Sequence, residues 1–293
     1  MKRLSRRNKT VFSLFLVFTA CGIPNDTVVF DPPVVGNRIE TGRLSGDFQN
    51  QNSEGQFYQP ELKGFNFYYR FFNPNSTTDA NYIPTSSTLD GDLIDRLTAL
   101  GEQNLTLSTV NTLANTDTLN GYNGFFKFFS KNDGGITLLI DTLNLEKRLT
   151  FSFNFQITDN EMDSPYIEYD AYISDTATER RRIYLYRNIF STTEPSTARL
   201  RTFDESATDY INTHRYSFLP SDKDLQGANS VADKSNTQYY IGIWCLAQGV
   251  TTQLETRVSE PSFLGMREIN IEFASIDESA DVIFADNYMD YFE

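Results

Sequence analysis

The stretch GFNFYYRFF, Gly64 to Phe72, places Phe65, Phe67, Tyr69 and Phe71 on one face of an extended chain. A repeat of two is the period of a β-strand, whose successive side chains point to opposite sides. The segments around it read the same way. LTFSFNFQI is stricter, with Leu149, Phe151, Phe153, Phe155 and Ile157 alternating with Thr, Ser, Asn and Gln. YIEYDAYI (166–173), RRIYLYR (181–187), YYIGIWCLA (239–247) and REINIEFA (267–274) follow the rule as well. Alternation with polar partners predicts antiparallel sheet with one buried and one wet face. Composition agrees: 24 Phe and 16 Tyr stand against one Trp, and flat aromatic rings pack well on a pleated, half-buried surface.

One helix interrupts the strands. STLDGDLIDRLTALGEQ sets Leu89, Leu93, Ile94, Leu97 and Leu100 at three-to-four spacing. Ser87 or Thr88 can cap it, Asp90 and Asp92 suit its N-terminal dipole, and Gly101 can end it. STVNTLANT (108–116) offers a second helical turn, and SKNDGG and DNEMDSP are turn chemistry between strands. No repeat of fixed period is present.

Ahead of the β-rich part lies MKRLSRRNK, with five basic residues and no acid, then the apolar run Val11 to Phe18, then small residues. That is the three-part plan of a secretory signal. A membrane span needs about 20 apolar residues, so this run is too short to cross. Phe18-Thr19-Ala20-Cys21 resembles the lipobox of bacterial lipoproteins, in the relaxed form that spirochaetes tolerate, with Phe where Leu is commonest. The resemblance implies diacylglycerol on Cys21, cleavage just before it, and no cofactor beyond those acyl groups. Residues 1–20 then form the signal peptide and 21–40, with three prolines, a tether leading into a first strand. Gly22, where an aspartate would resemble an inner-membrane retention signal, leans the expected location toward the outer membrane of a bacterial envelope.

The whole chain carries a net charge of −14. Without the five basic residues of the signal, 20 basic groups face 39 acidic ones, a net of −19. Such a surface repels phosphate backbones, which argues against nucleic acid as a partner. ERRRIYLYR is the local exception, clustering Arg180, Arg181, Arg182 and Arg187. It reads as a solvated strand start, with an anion-binding patch as the alternative. With Cys21 acylated, Cys245 is left alone in an apolar strand, so no intrachain disulfide is available.

Two separated pieces resemble the fibronectin type III family of immunoglobulin-like sandwiches. GFNFYYRF resembles that family's third strand. YYIGIWCLAQGV followed by RVSEPSFLG is similar to its final hairpin, with Tyr239 or Tyr240 placed as a corner tyrosine. The family separates these strands by a few tens of residues. Here 75–238 must then be a large insertion containing the helix and further strands. The expected fold is mainly β: an antiparallel β-sandwich, immunoglobulin or fibronectin III-like, over 41–275, either whole or split by an inserted subdomain at 75–238. An acidic segment, 276–293, follows. A larger antiparallel sandwich or barrel outside that family is the alternative.

Chemistry is sparse. His214 is the sole histidine, and there is no zinc motif, nucleophile elbow, phosphate loop or Cys-x-x-Cys. The metal candidate is DNEMDSPYIEYD, with Asp159, Glu161, Asp163 and Asp170 at positions one, three, five and twelve of a calcium-loop pattern. Ser164 stands where that loop needs glycine and Pro165 follows, so the stretch reads as an acidic hairpin turn. Tyr166, Tyr172, Tyr184 and Tyr186 fall on expected wet faces, where they form either a flat glycan- or protein-binding surface or an internal contact. These readings point to a lipid-anchored, non-enzymatic binding or structural module of unstated ligand. The rivals are a carboxylate-pair enzyme acting on envelope glycans and a docking subunit of an envelope assembly.

Overall fold

The computed structural model describes residues 30–41, 45–49, 61–115, 123–128, 138–139, 150–154, 166–174, 177–185, 187–190, 198–201, 224–225, 238–250 and 254–270. Within them the protein is mainly β, with two antiparallel sheets and few helices.

The alternating stretch Gly64 to Phe72 lies in the middle of the first sheet. Strand β3 (Leu62–Phe72) pairs antiparallel with β11 (Gln238–Val250), so that Trp244 lies opposite Tyr68 and Gln248 opposite Gly64. Beyond β11 come β12 (Thr256–Val258) and β13 (Ser262–Asn270); beyond β3 come the short strands β4 (Phe126–Lys127) and β5 (Leu138–Leu139). The second sheet runs β1 (Val34–Asn37), β2 (Ser45–Gln49), β6 (Thr150–Asn154), β7 (Tyr166–Ser174), β8 (Ala177–Tyr184). A separate ribbon joins β9 (Arg187–Phe190) to β10 (Ala198–Arg201). β6, β7 and β8 thus extend the sheet begun by β1 and β2, although they come from the stretch between β3 and β11.

The two sheets share a core. Phe65, Phe67, Tyr69 and Phe71 of β3, with Tyr239, Ile241, Ile243, Cys245 and Ala247 of β11, meet Phe48, Phe153, Ile167 and Ile183 of the other sheet. The Phe48 ring sits 5.5 Å from Phe65 and 5.6 Å from Phe67, both edge-on, the geometry that aromatic quadrupoles favour.

The opposite face of the first sheet is not wet, contrary to the one-face expectation. Tyr68, Phe72, Trp244, Leu246, Phe263 and Met266 form a second core under α1 (Gly91–Asn104) and α2 (Leu107–Asn115). Leu93, Leu97, Leu100, Leu105 and Val110 close it. An amphipathic helix must bury its leucine stripe somewhere, and the only such stripe in the sequence reading finds its partner here. Alternation in β3 and β11 therefore distinguishes two cores, and not core from solvent.

Trp244 fastens the helices to the sheet. Its indole Nε1 donates to the Leu97 carbonyl at 3.0 Å. Two glycines leave room for the ring: a methyl at Gly101 would lie 2.6 Å from Cδ1, and one at Gly242 2.7 Å from Cη2. This explains why Gly101 lies inside α1 rather than ending it. The cap is Asp90, whose carboxylate accepts the Leu93 N–H at 2.7 Å, in place of Ser87 or Thr88.

Of the stretch read as a tether, residues 30–40 lie in the fold. Phe30 is buried against Gly249, Val34–Asn37 pairs with β2, and Ile39 exchanges backbone hydrogen bonds with Leu264 and Met266. Gly265 permits that crossing: its φ is +141°, and a side chain there would strike the Ile39 backbone.

Candidate functional site

Arg180, Arg181 and Arg182 are on β8, the last strand of the second sheet among the described residues, beside β7, and Arg187 opens β9. Register sets Arg182 opposite Glu168 and Arg180 opposite Asp170. Arg182 donates to Glu168 at 2.7 Å and lies 4.6 Å above the Tyr166 ring. Arg181 donates to Glu179 at 3.1 Å, a contact that pushes its pKa up. The Arg182–Glu168 pair crosses from β8 to β7 and, half-exposed, contributes a few tenths of a kcal/mol up to about 1 kcal/mol; Arg181 and Glu179 neighbour each other within β8. The run is a charge ladder on a sheet edge. That matches the solvated-strand reading better than an anion patch, and charged side chains on an end strand also discourage pairing with another chain.

Tyr166 does not belong to a wet face: it is buried, covered in part by Arg182. The side chains of Tyr172, Tyr184 and Tyr186 lie outside the described residues, as do Cys21, His214, Asp159, Glu161 and Asp163. Asp170 sits within the regular ladder of β7, opposite Arg180. Among the described residues no three His, Cys, Asp or Glu side chains gather as a metal site, and no helix is long and apolar enough to cross a membrane. Cys245 is buried in the inter-sheet core, where burial pushes its thiol well above the usual range, so it is unreactive in the native state.

Three buried polar arrangements support the fold. Arg70 pairs with Asp79 at 3.0 Å, while its guanidinium lies 5.0 Å from the Phe72 ring centre and 5.8 Å from that of Phe125. Asp79 also accepts the Asn73 N–H at 3.0 Å, tying the loop after β3 to the sheet. Asn66 donates to the Gln248 side chain. Between the sheets, Tyr69 donates to Asp224 at 2.8 Å, so the turn at 224–225 plugs the core with a satisfied carboxylate. Tyr68 is the exception. Its buried hydroxyl has no hydrogen-bond partner among the described residues, and burial pushes its pKa above the ordinary tyrosine range.

A groove of about 380 Å³ opens between the α1–α2 junction and the turn joining β12 to β13. Leu105, Leu107, Val258 and Pro261 give it apolar walls, and Glu102 and Glu260 add carboxylates. Ser259 is engaged elsewhere: its hydroxyl accepts the Ala247 N–H at 2.9 Å and donates to the Glu260 carbonyl at 2.8 Å. Sequence reasoning misses this groove because its walls come from segments some 150 positions apart, joined only through the second core. It also misses Leu254, at the β11–β12 turn, which is 85% exposed with a left-handed φ of +63°. Neither property is encoded in the identity of one leucine.

The site and fold therefore define a mainly antiparallel β protein with a helical layer on one sheet. No protein family, curated protein or solved structure matches the chain.

Proposed function

We propose that this protein is a bacterial envelope lipoprotein, held at a membrane by acyl chains on Cys21, whose β domain acts non-enzymatically as a binding or structural module. The observation that carries the reading is the order of signals in the sequence: basic start, short apolar run, and Phe18-Thr19-Ala20-Cys21. Nine positions later comes Phe30, buried in the inter-sheet core. Two or more acyl chains hold a soluble domain stably at a bilayer, where one holds only marginally. The outer membrane is the favoured location.

The finer fold assignment in this proposal is immunoglobulin-like. Its support is the strand order β4–β3–β11–β13 facing β1–β2–β6, with a parallel bridge, Ile39–Gly265, linking the first strand region to the last. That is the order of a C′-C-F-G sheet on an A-B-E sheet. On this reading β7, β8 and the helices are additions to the basic sandwich, and Tyr239, buried at the start of β11, stands at the corner position.

Growth with labelled palmitate tests the anchor. The native chain takes up label and fractionates with membranes, and Cys21→Ser abolishes both. An unlabelled native chain, or a Cys21→Ser chain that still fractionates with membranes, overturns the proposal. Release of reducing ends from envelope glycans by the purified protein, lost in Glu102→Gln or Glu260→Gln, would overturn its non-enzymatic part.

A further inference from the structure

We propose that Leu254, at the tip of the β11–β12 hairpin, rests in the membrane interface beside the lipid anchor. The inference builds on the Cys21 anchor and adds an orientation to it. The chain joins the described fold at Phe30, whose ring packs where β11 ends, against Gly249. Close by, Val250 donates to the Glu61 carbonyl at 2.9 Å, just before β3 begins. From Gly249 the chain runs directly into the hairpin, with Val250 opposite Thr256. Phe30, the point at which the chain from Cys21 enters the described fold, and the hairpin therefore share one end of the molecule.

Chain geometry limits how far this end can stand from the bilayer. Nine residue steps separate Cys21 from Phe30, at most about 30 Å of extended chain at ~3.5 Å per residue. Five steps from Gly249 to Leu254 reach at most about 17 Å by the same measure. A surface holding Cys21 is thus within reach of the hairpin tip.

The tip is suited to such a surface. Val34 and Leu254 are the large hydrophobic side chains exposed among the described residues, at 48% and 85%. Val34 begins β1, four residues after Phe30, and Leu254 stands two residues before Thr256, which pairs with Val250. A lone exposed leucine is ordinary, but one held at φ +63° is not, since β carbons crowd the backbone there. Charge permits the contact as well. In a strongly acidic chain, Gly249 to Arg257 (GVTTQLETR) is neutral overall, and its one acid, Glu255, is paired with Arg257 at 2.6 Å. The contact is weak alone, but the anchor makes it intramolecular and gives it a high effective concentration.

The test uses the full lipidated chain in phosphatidylcholine vesicles containing brominated lipid. An environment-sensitive dye is attached at Thr256→Cys or, at the opposite end, at Ser87→Cys. Ser87 follows Ser86, whose carbonyl accepts from Thr41, beyond the Ile39 crossing. Buried Cys245 and acylated Cys21 stay unlabelled. The expected result is bromolipid quenching at Thr256 at least twofold stronger than at Ser87, falling to the Ser87 level in Leu254→Asp. Equal quenching at the two sites on floated vesicles overturns the tip contact and leaves the anchor standing. If the lipidated chain does not float with vesicles at all, the anchor falls and the tip contact with it.

Discussion

A methyl group added at Gly101 tests whether the helical layer is fastened to the sheet through Trp244. In an unencumbered helix interior, Gly→Ala stabilises by about 1 kcal/mol, because alanine has less backbone freedom to lose. At Gly101 the new methyl would lie 2.6 Å from both Cδ1 and Nε1 of Trp244, well inside the ~3.5 Å of normal carbon contact. The indole cannot retreat. Gly242 lies on its other side with comparable tightness, Phe125 is centred 4.9 Å away and Phe263 5.3 Å away. Overpacking a filled core costs about 1–3 kcal/mol. The two effects oppose, and the larger wins: Gly101→Ala destabilises by about 1 kcal/mol. Gly91, at the start of the same helix, has nothing within 4 Å of a new methyl, so Gly91→Ala is neutral or stabilising by up to ~1 kcal/mol. Urea unfolding of the full chain carrying Cys21→Ser, followed by circular dichroism, measures both. Trp244→Leu should turn Gly101→Ala from harmful to favourable, with a coupling of about 1–3 kcal/mol in the double-mutant cycle. If Gly101→Ala stabilises as much as Gly91→Ala while Trp244 is present, the packing argument is wrong.

Three further outcomes are expected. Asp79→Ala strands Arg70 against two aromatic rings and should cost about 3–5 kcal/mol, read as a lower urea midpoint; an unchanged midpoint would show the pair to be dispensable. Tyr68→Phe removes a buried hydroxyl without a partner among the described residues and should stabilise by about 1 kcal/mol at neutral pH. Burial disfavours the phenolates of Tyr68 and Tyr240, the latter also faced by Glu268, so both titrate higher in the folded state than in the unfolded chain. Their contribution to stability is then constant below about pH 10 and declines as pH rises toward the folded values. Tyr68→Phe should make the alkaline decline shallower, and an identical slope would count against it. Leu254→Gly should raise the melting temperature of the unanchored chain by relieving about 1 kcal/mol of left-handed strain, whereas a lower melting temperature would mean that the leucine packs on the fold.

Much of the architecture is written in local pattern. Period-two aromatics at Phe65 to Phe71 and Tyr239 to Ala247 specify strands wherever they are placed, since side-chain alternation is a property of the extended backbone itself. The leucine stripe of α1 is equally local. The buried state of Cys245 follows from the apolar run around it.

What the sequence leaves open is which surfaces meet. Nothing local tells that the alternate face of β3 is roofed by α1 and not by water, because Tyr68 and Phe72 suit either setting. Gly101 looks like a helix terminator until Trp244, 143 positions later, occupies the space beside it. The arginines of β8 read as a solvated strand start or an anion patch, and only strand register shows that Glu168 and Asp170 are the residues placed opposite Arg182 and Arg180. Tyr166 looks exposed until Arg182 covers it. Burial, pairing and the strained turn at Leu254 are properties of long-range contacts. Only the folded chain decides them, because loop closure and packing bring together residues whose spacing in sequence carries no period to read.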